Sequence, residues 1–161
     1  MKIRPADPIK DEEEIWEIFR RVIATGDTYV FDPDTSRQEF PALWFGEKMH
    51  TYVAETDEGI HGTYIMKPNQ IGLGSHVANA GYMVHPGAQG MGIGTKMCEH
   101  SLIEAKRLGF RAMQFNIVVS TNVGAVRLWE RFGFEIIGTS PGAFNHRTEG
   151  FVDAHIMYRK L

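Results

Sequence analysis

Apolar positions along the chain change period several times, and each change marks an element. Between Asp11 and Ala24, residues Ile15, Ile18, Phe19 and Val22 recur at helical spacing behind an acidic Asp11–Glu14 run that suits a helix N-terminus. Thr25-Gly26-Asp27 closes that helix, and a shorter one is predicted after Asp34-Thr35-Ser36, carrying Phe40, Leu43 and Trp44. A short strand at Lys2–Arg4 precedes them. Thr51–Glu55 and Ile60–Lys67 flank an Asp57-Glu58-Gly59 turn and read as an antiparallel hairpin, followed by a strand at Val77–Val84. From Met91 to Leu108 the helical period returns, with Ile93, Met97, Leu102, Ala105 and Leu108 on one face and Gly109 as the stop. Arg111–Val119 predicts a strand, Ser120–Asn122 caps a helix that Gly133 ends, and Phe134–Gly138 and Phe151–Tyr158 predict two more strands. Residues 139–150 show no period and read as a loop. The order β-α-α-β-β-β-α-β-α-β-β, without repeat or linker, predicts a mixed α+β chain forming a single domain over 1–161.

Charge and composition narrow the function. Seventeen Lys plus Arg against 20 Asp plus Glu give a formal net charge of −3, and no basic run exceeds two residues, so nucleic acid is not an expected partner. No window approaches the ~20 continuous apolar residues of a membrane span, and the acidic N-terminal region does not read as a signal peptide. A cytoplasmic protein is expected. The single Cys98 has no internal disulfide partner and sits in a predicted helix, either as apolar filler or as a reactive thiol. His61, His76, His85, His100, His146 and His155 are scattered, and no Cys/His cluster has zinc spacing, so no metal is expected.

The chemistry concentrates at Gln89-Gly90-Met91-Gly92-Ile93-Gly94-Thr95, between a strand and a long helix. Glycines let the backbone curl there, and amides freed at a helix N-terminus point at an anion, with the Thr95 hydroxyl as a further donor. Two common phosphate loops are excluded by spacing. A Walker loop needs Gly-Lys followed by Ser or Thr, whereas the chain reads Gly94-Thr95-Lys96; a dinucleotide fingerprint needs Gly-x-Gly-x-x-Gly, and the glycines fall at 90, 92 and 94. Gln-x-x-Gly-x-Gly remains.

That pattern resembles the pyrophosphate loop of the GNAT superfamily of acyl-CoA-dependent N-acetyltransferases. A second segment, Asn122 to Phe134, resembles the family's Asn-x-x-Ala-x-x-Leu-Tyr-x-x-x-Gly-Phe helix, in the family's order and at about its separation. The likeness is good over roughly Tyr52 to Phe134. It implies a mostly antiparallel sheet of about seven strands with about four helices, splayed between strands 4 and 5 where acetyl-CoA enters. It also implies that the backbone of Met83 and Val84 pairs with the pantetheine arm, that amides from Gly90 through Thr95 hold the phosphates, and that a backbone amide near Val84 polarises the thioester carbonyl. Asn122 faces that arm in the family, or is a plain helix N-cap here; both can hold. Gln89, Asn116, Ala125 and Trp129 complete the expected cofactor contacts.

Two positions depart from the pattern. Trp129 stands where many relatives carry a tyrosine that protonates the leaving thiolate; an indole N–H donates a hydrogen bond but is no proton source at neutral pH. Either another group supplies the proton or Trp129 only shapes the pocket. Asn79 stands where relatives resembling phosphinothricin acetyltransferases carry a glutamate, ten residues before Gln89. Asn79 and Asn116, both mid-strand, read either as a pair of amides orienting a small polar acceptor or as buried structural asparagines. The Asn-Ala-Gly-Tyr variant most resembles the subgroup acting on small amino and imino acids such as azetidine-2-carboxylate. Without the usual glutamate, Tyr82, Glu55, Asp153 and His155 are candidate members of a proton relay. Tyr29 and Phe31 in one loop, and Phe144, His146 and Arg147 in another, are expected to roof the acceptor site; Arg147 either pairs with a substrate carboxylate or is solvated. The expected reaction is direct attack of a small amine or amino/imino acid on acetyl-CoA in a ternary complex. A non-catalytic acyl-CoA sensor and a protein or peptide N-acetyltransferase are the alternatives, and a homodimer is among the assemblies the resemblance allows.

Overall fold

The computed structural model describes residues 1–161. Its elements run β1 (Lys2–Pro5), α1 (Glu12–Ile23), α2 (Phe40–Trp44), β2 (His50–Thr56), β3 (Gly59–Pro68), β4 (Val77–Val84), α3 (Ile93–Arg107), β5 (Ala112–Val119), α4 (Val123–Arg131), β6 (Glu135–His146) and β7 (Gly150–Lys160), with two 3-10 turns at Gly72–Gly74 and Pro86–Ala88. The predicted order of elements is borne out. Seven strands form one sheet in the order β1-β2-β3-β4-β5-β7-β6, and every neighbouring pair is antiparallel except β4 and β5.

Alternation along the strands divides the core in two. One face buries Tyr52, Tyr64, Met66, Ala78, Ala80, Met113 and Phe115 beneath α3 and α4; the other buries Val53, Ile60, Ile65 and Met83 beneath α1 and α2. On the α3 side Tyr52, Tyr64 and Tyr82 stack at 4.7 and 5.4 Å across three strands. Burial pushes the Tyr52 phenol up, and its hydroxyl donates to Glu104 on α3 at 2.7 Å. Glu104 also accepts from Arg107, and these bonds hold its carboxyl down at about 2. A carboxylate depressed in the folded state stabilises above its ordinary value and loses that contribution as pH falls through its folded value. Thermal stability is therefore expected to drop between about pH 4.5 and about pH 2, and Glu104→Gln to flatten that part of a melting-temperature profile. An unchanged slope in the variant would assign the drop to other carboxylates, such as Asp11, which Arg4 holds low.

One predicted segment is corrected. Residues 139–150 are not a loop: β6 runs on to His146, and only residues 147–149 turn before β7. Two register shifts, between Ile136 and Gly138 and between Ser140 and Phe144, interrupt the pairing of β6 with β7. Bulges break strict alternation, and an edge strand exposes residues on both faces, so no period survives in the sequence. The long helix is also shorter at its start than expected, because Gly92 is its N-cap in the left-handed region at φ 75° and Ile93 is its first residue.

Candidate active site

The site begins where two parallel strands part. β4 and β5 pair only at Val77 with Ala112 and at Ala78 with Met113. One residue on, the Asn79 side chain donates to the Gln114 carbonyl at 3.0 Å, a side-chain rung at the apex of the split. Beyond it a bulge at Asn116 and Ile117 bends β5 away, since Phe115 and Val118 pair with Met157 and His155. Tyr82, Phe115 and Trp129 pack into the opening, with ring centroids 4.8–5.9 Å apart. The edge of β4 from Ala80 to Val84 is thereby left without a ladder partner on the β5 side, which is a template for an extended, amide-bearing ligand.

At the far end of β4 lies the glycine loop. Gly90 and Gly92 have φ of 81° and 75°, and a β-carbon at either would meet nothing within 4 Å. Glycine is required there by backbone conformation alone. The first helical hydrogen bond of α3 is Lys96 N–H to the Gly92 carbonyl at 3.0 Å, so the Ile93, Gly94 and Thr95 amides are unspent. Gly94 serves a different end: its β-carbon position lies 3.5 Å from Leu128, letting α4 approach the loop. Arg131 at the end of α4 reaches Thr95 Oγ1 at 3.5 Å, adding a cation that the sequence motifs did not reveal. Free amides, a helix N-terminus and an arginine are groups that suit an anion such as a pyrophosphate.

Between the split and the loop is a cavity of about 550 Å³, walled mostly by apolar residues. Of the predicted site residues, Tyr29, Phe31, Asn79, Met83, Val84, Gln89, Asn116, Asn122, Ala125 and Trp129 line it. Met83 turns its side chain into the α1 core, so only its backbone faces the cavity. Asn122 caps α4 by accepting from the Ala125 amide at 3.2 Å, which leaves its own N–H donors unspent. The cap reading is borne out, and the free donors leave Asn122 able to meet a ligand as well. Asn116 is drawn into a chain of amides at the rim, accepting from Gln114 at 3.0 Å and donating to Asn69 at 2.8 Å. Trp129 is nearly buried, and no protein group accepts its indole N–H.

A profile of the acetyltransferase (GNAT) family matches residues 13–134. The chain belongs to this family. Acetyl-CoA is the family's cosubstrate, and the free β4 edge and glycine loop fit its amide-bearing arm and pyrophosphate. The acetyltransferase is 30% identical to the N-acetyltransferase aca1 of Schizosaccharomyces pombe, over 92% of the chain and 81% of that protein. It superposes on a GCN5-related N-acetyltransferase from Kribbella flavida with a TM-score of 0.93 at 41% identity, covering 99% of the chain and 97% of that structure. A phosphinothricin acetyltransferase from Sinorhizobium meliloti, solved in complex with acetyl-CoA, shares the fold at a TM-score of 0.87 and 21% identity, covering 99% of the chain and 88% of that structure.

Several expected residues of the acetyltransferase lie elsewhere. Phe144 is buried at the β6–β7 pair and does not line the cavity. The Arg147 guanidinium donates to the Ala24 carbonyl at 2.9 Å, and its own amide donates to the Gly26 carbonyl at 3.0 Å. Arg147 thus docks the β6–β7 turn on the C-terminal end of α1, an end that favours a cation, and steadies the loop bearing Tyr29. His146 closes that turn by accepting from the Thr148 and Glu149 amides. Of the relay candidates only Tyr82 reaches the cavity: Glu55 pairs with Arg4, His155 bonds Thr139, and Asp153 accepts from the Gly142 amide. Burial raises the Tyr82 phenol, whose hydroxyl meets Ser101 at 2.7 Å, so it stays neutral. The Cys98 thiol is buried and pushed up to about 12, which excludes it as a thiolate nucleophile. Lys67 and Asp27 line the cavity and went unread in the sequence, because one ends an ordinary strand and the other stands in a turn. No group of three or more His, Cys, Asp or Glu side chains is arranged to hold a metal, and no helix is long and apolar enough to cross a membrane.

Proposed function

We propose that the chain transfers the acetyl group of acetyl-CoA to the nitrogen of a small amine or amino/imino acid, by direct attack within a ternary complex. The carrying observation is a cavity of about 550 Å³ continuous with the free β4 edge and walled chiefly by apolar residues. A basic protein tail would need an acidic groove, and Asp27 is the only carboxylate lining the cavity. The relative named as an N-acetyltransferase and the phosphinothricin acetyltransferase neighbour support nitrogen as the acceptor atom.

The bound cosubstrate supplies an activated acetyl thioester; the chain supplies position and polarity. Amides of Gly92 to Thr95 with Arg131 hold the phosphates, and the backbone of Met83 and Val84 aligns the arm, with an amide near Val84 polarising the thioester carbonyl. The Asn79 amide group is fixed by Gln114, so its Oδ1 is free to accept from the attacking amine and aim its lone pair. No glutamate stands at the Asn79 position, and Asp27 is the only carboxylate lining the cavity. Neutralising a peptide-type α-amine of pKa near 7.8 at pH 7 costs about 1 kcal/mol, against about 4.6 kcal/mol for a lysine-like amine. A free amino or imino acid lies near the second value, so its proton needs an acceptor in the cavity, where Asp27 is the only carboxylate. Trp129 shapes the pocket rather than giving a proton.

The test is thiol release from acetyl-CoA over free amino acids, imino acids, amino sugars and lysine peptides, followed by Asn79→Ala on the best acceptor. A small amine is expected to lead, and Asn79→Ala to lower its kcat/KM about tenfold, the worth of one well-placed hydrogen bond. Peptides leading the screen, or an unchanged kcat/KM in the variant, would overturn the small-acceptor reading. Acetyl-CoA binding with no thiol release on any amine would instead make the chain a sensor.

A further inference from the structure

Charge inside the cavity is sparse and specific. Among its lining residues only Lys67 and Asp27 are charged, one on the sheet and the other on the loop that roofs it. All ten ion pairs in the molecule involve other residues, so neither has an opposite charge within 4.0 Å. Lys67 has no hydrogen-bond partner either, and Asp27 receives only the Thr25 hydroxyl on one oxygen. By strand register Lys67 stands opposite Asn79, whose free Oδ1 faces the attacking amine in the reading above.

A third polar group lies beside them. The Tyr29 hydroxyl oxygen is buried and bonded to nothing, and it sits 2.5 Å from where a β-carbon of Gly81 would be. Gly81 has an ordinary strand conformation, so the glycine there makes room for that hydroxyl. Gly81 is two residues from Asn79 on the same face, opposite Ile65 and diagonal to Lys67 across the β3–β4 pair. Arg147, the other cation near the roof, is spent on the Ala24 carbonyl.

We propose that the acceptor is a free amino or imino acid held as its zwitterion, with Lys67 and the Tyr29 hydroxyl receiving the carboxylate and Asp27 facing the ammonium and taking its proton before the nitrogen attacks. This rests on the small-acceptor reading and narrows it. Two unpaired opposite charges in a cavity with apolar walls lose hydration when a ligand enters, and the loss is offset only if the ligand answers both. A plain amine answers Asp27 and strands Lys67. An amino sugar leaves the ammonium of Lys67 facing hydroxyls. A zwitterion answers both walls, and its reacting nitrogen then lies by Asn79.

The experiment compares matched acceptors: alanine with ethylamine, proline with pyrrolidine, and azetidine-2-carboxylate with azetidine. At least one amino or imino acid is expected to be preferred over its partner. For that pair Lys67→Met should lower kcat/KM for the carboxylate-bearing member about 30-fold and leave the plain amine within about twofold. Lys67→Arg should restore most of the loss, Tyr29→Phe should lower the same member about fivefold, and Asp27→Asn should lower both members. Acetyl-CoA affinity, measured by calorimetry, should hold in all four variants. Preference for the plain amines, or an equal loss on both members in Lys67→Met, overturns the zwitterion subsite and leaves the small-acceptor reading standing. Thiol release with neither class overturns both.

Discussion

Gly92→Glu is expected to abolish acetyl-CoA binding, weakening it by more than about 100-fold in calorimetry with the fold intact by circular dichroism. Two costs coincide at this position. Gly92 holds φ at 75°, where an L side chain costs about 1–2 kcal/mol, and the new carboxylate enters the ring of free amides proposed to receive the phosphates. Gly92→Ala carries only the first cost and should weaken binding about tenfold. Asn122→Ala, which removes a cap and one donor, should cost about 1 kcal/mol. Retained affinity in a folded Gly92→Glu variant would sink the assignment of the loop to phosphate.

Gly62→Val is expected to be the most destabilising single change on the α3 face, at about 3 kcal/mol in urea unfolding with an unchanged m-value. Gly62 lies on β3 where a β-carbon would come within 2.7 Å of Ile93 and 3.0 Å of the Met97 terminal carbon. Both neighbours are buried, so neither can step aside into solvent. Ile93 is also the first residue of α3, and moving it displaces the amides proposed to hold phosphate; acetyl-CoA affinity should fall alongside stability. A variant of native stability would mean that α3 slides on the sheet at little cost.

Sequence pattern carried the parts of the fold in which one face is buried and the other wet. Helices α1 and α3, the β2–β3 hairpin and the glycine loop were legible because burial and backbone conformation each leave a residue-level mark. β6 was not, since two bulges on an exposed edge erase the alternation that would have announced it. The site divides along the same line. Asn79, Asn116 and Trp129 stood out as residue types unusual for their places and Tyr29 as a loop aromatic, and all four line the cavity. Lys67 and Asp27 are ordinary residues for a strand end and a turn; only the absence of a counter-ion marks them, and that is a property of three dimensions. Arg147 misled for the converse reason, because a loop arginine near an acceptor site gives no sign in sequence that a helix end 123 residues away will claim it.

The placement of β7 bears on the order in which the molecule comes together. β7 follows β6 in the chain yet lies between β6 and β5 in the sheet, so β6 has no strand to join until a later-made one arrives. β1 to β4 with α1 and α2 are closed by neighbouring pairings and can consolidate early, whereas the β5–β7–β6 half waits, with a 12-residue strand exposed. Because Arg147 in the β6–β7 turn steadies the roof loop, the acceptor side of the cleft matures last. On this topology the β4–α3 loop can form before the acceptor pocket does, while β6 stays unpaired until β7 is made.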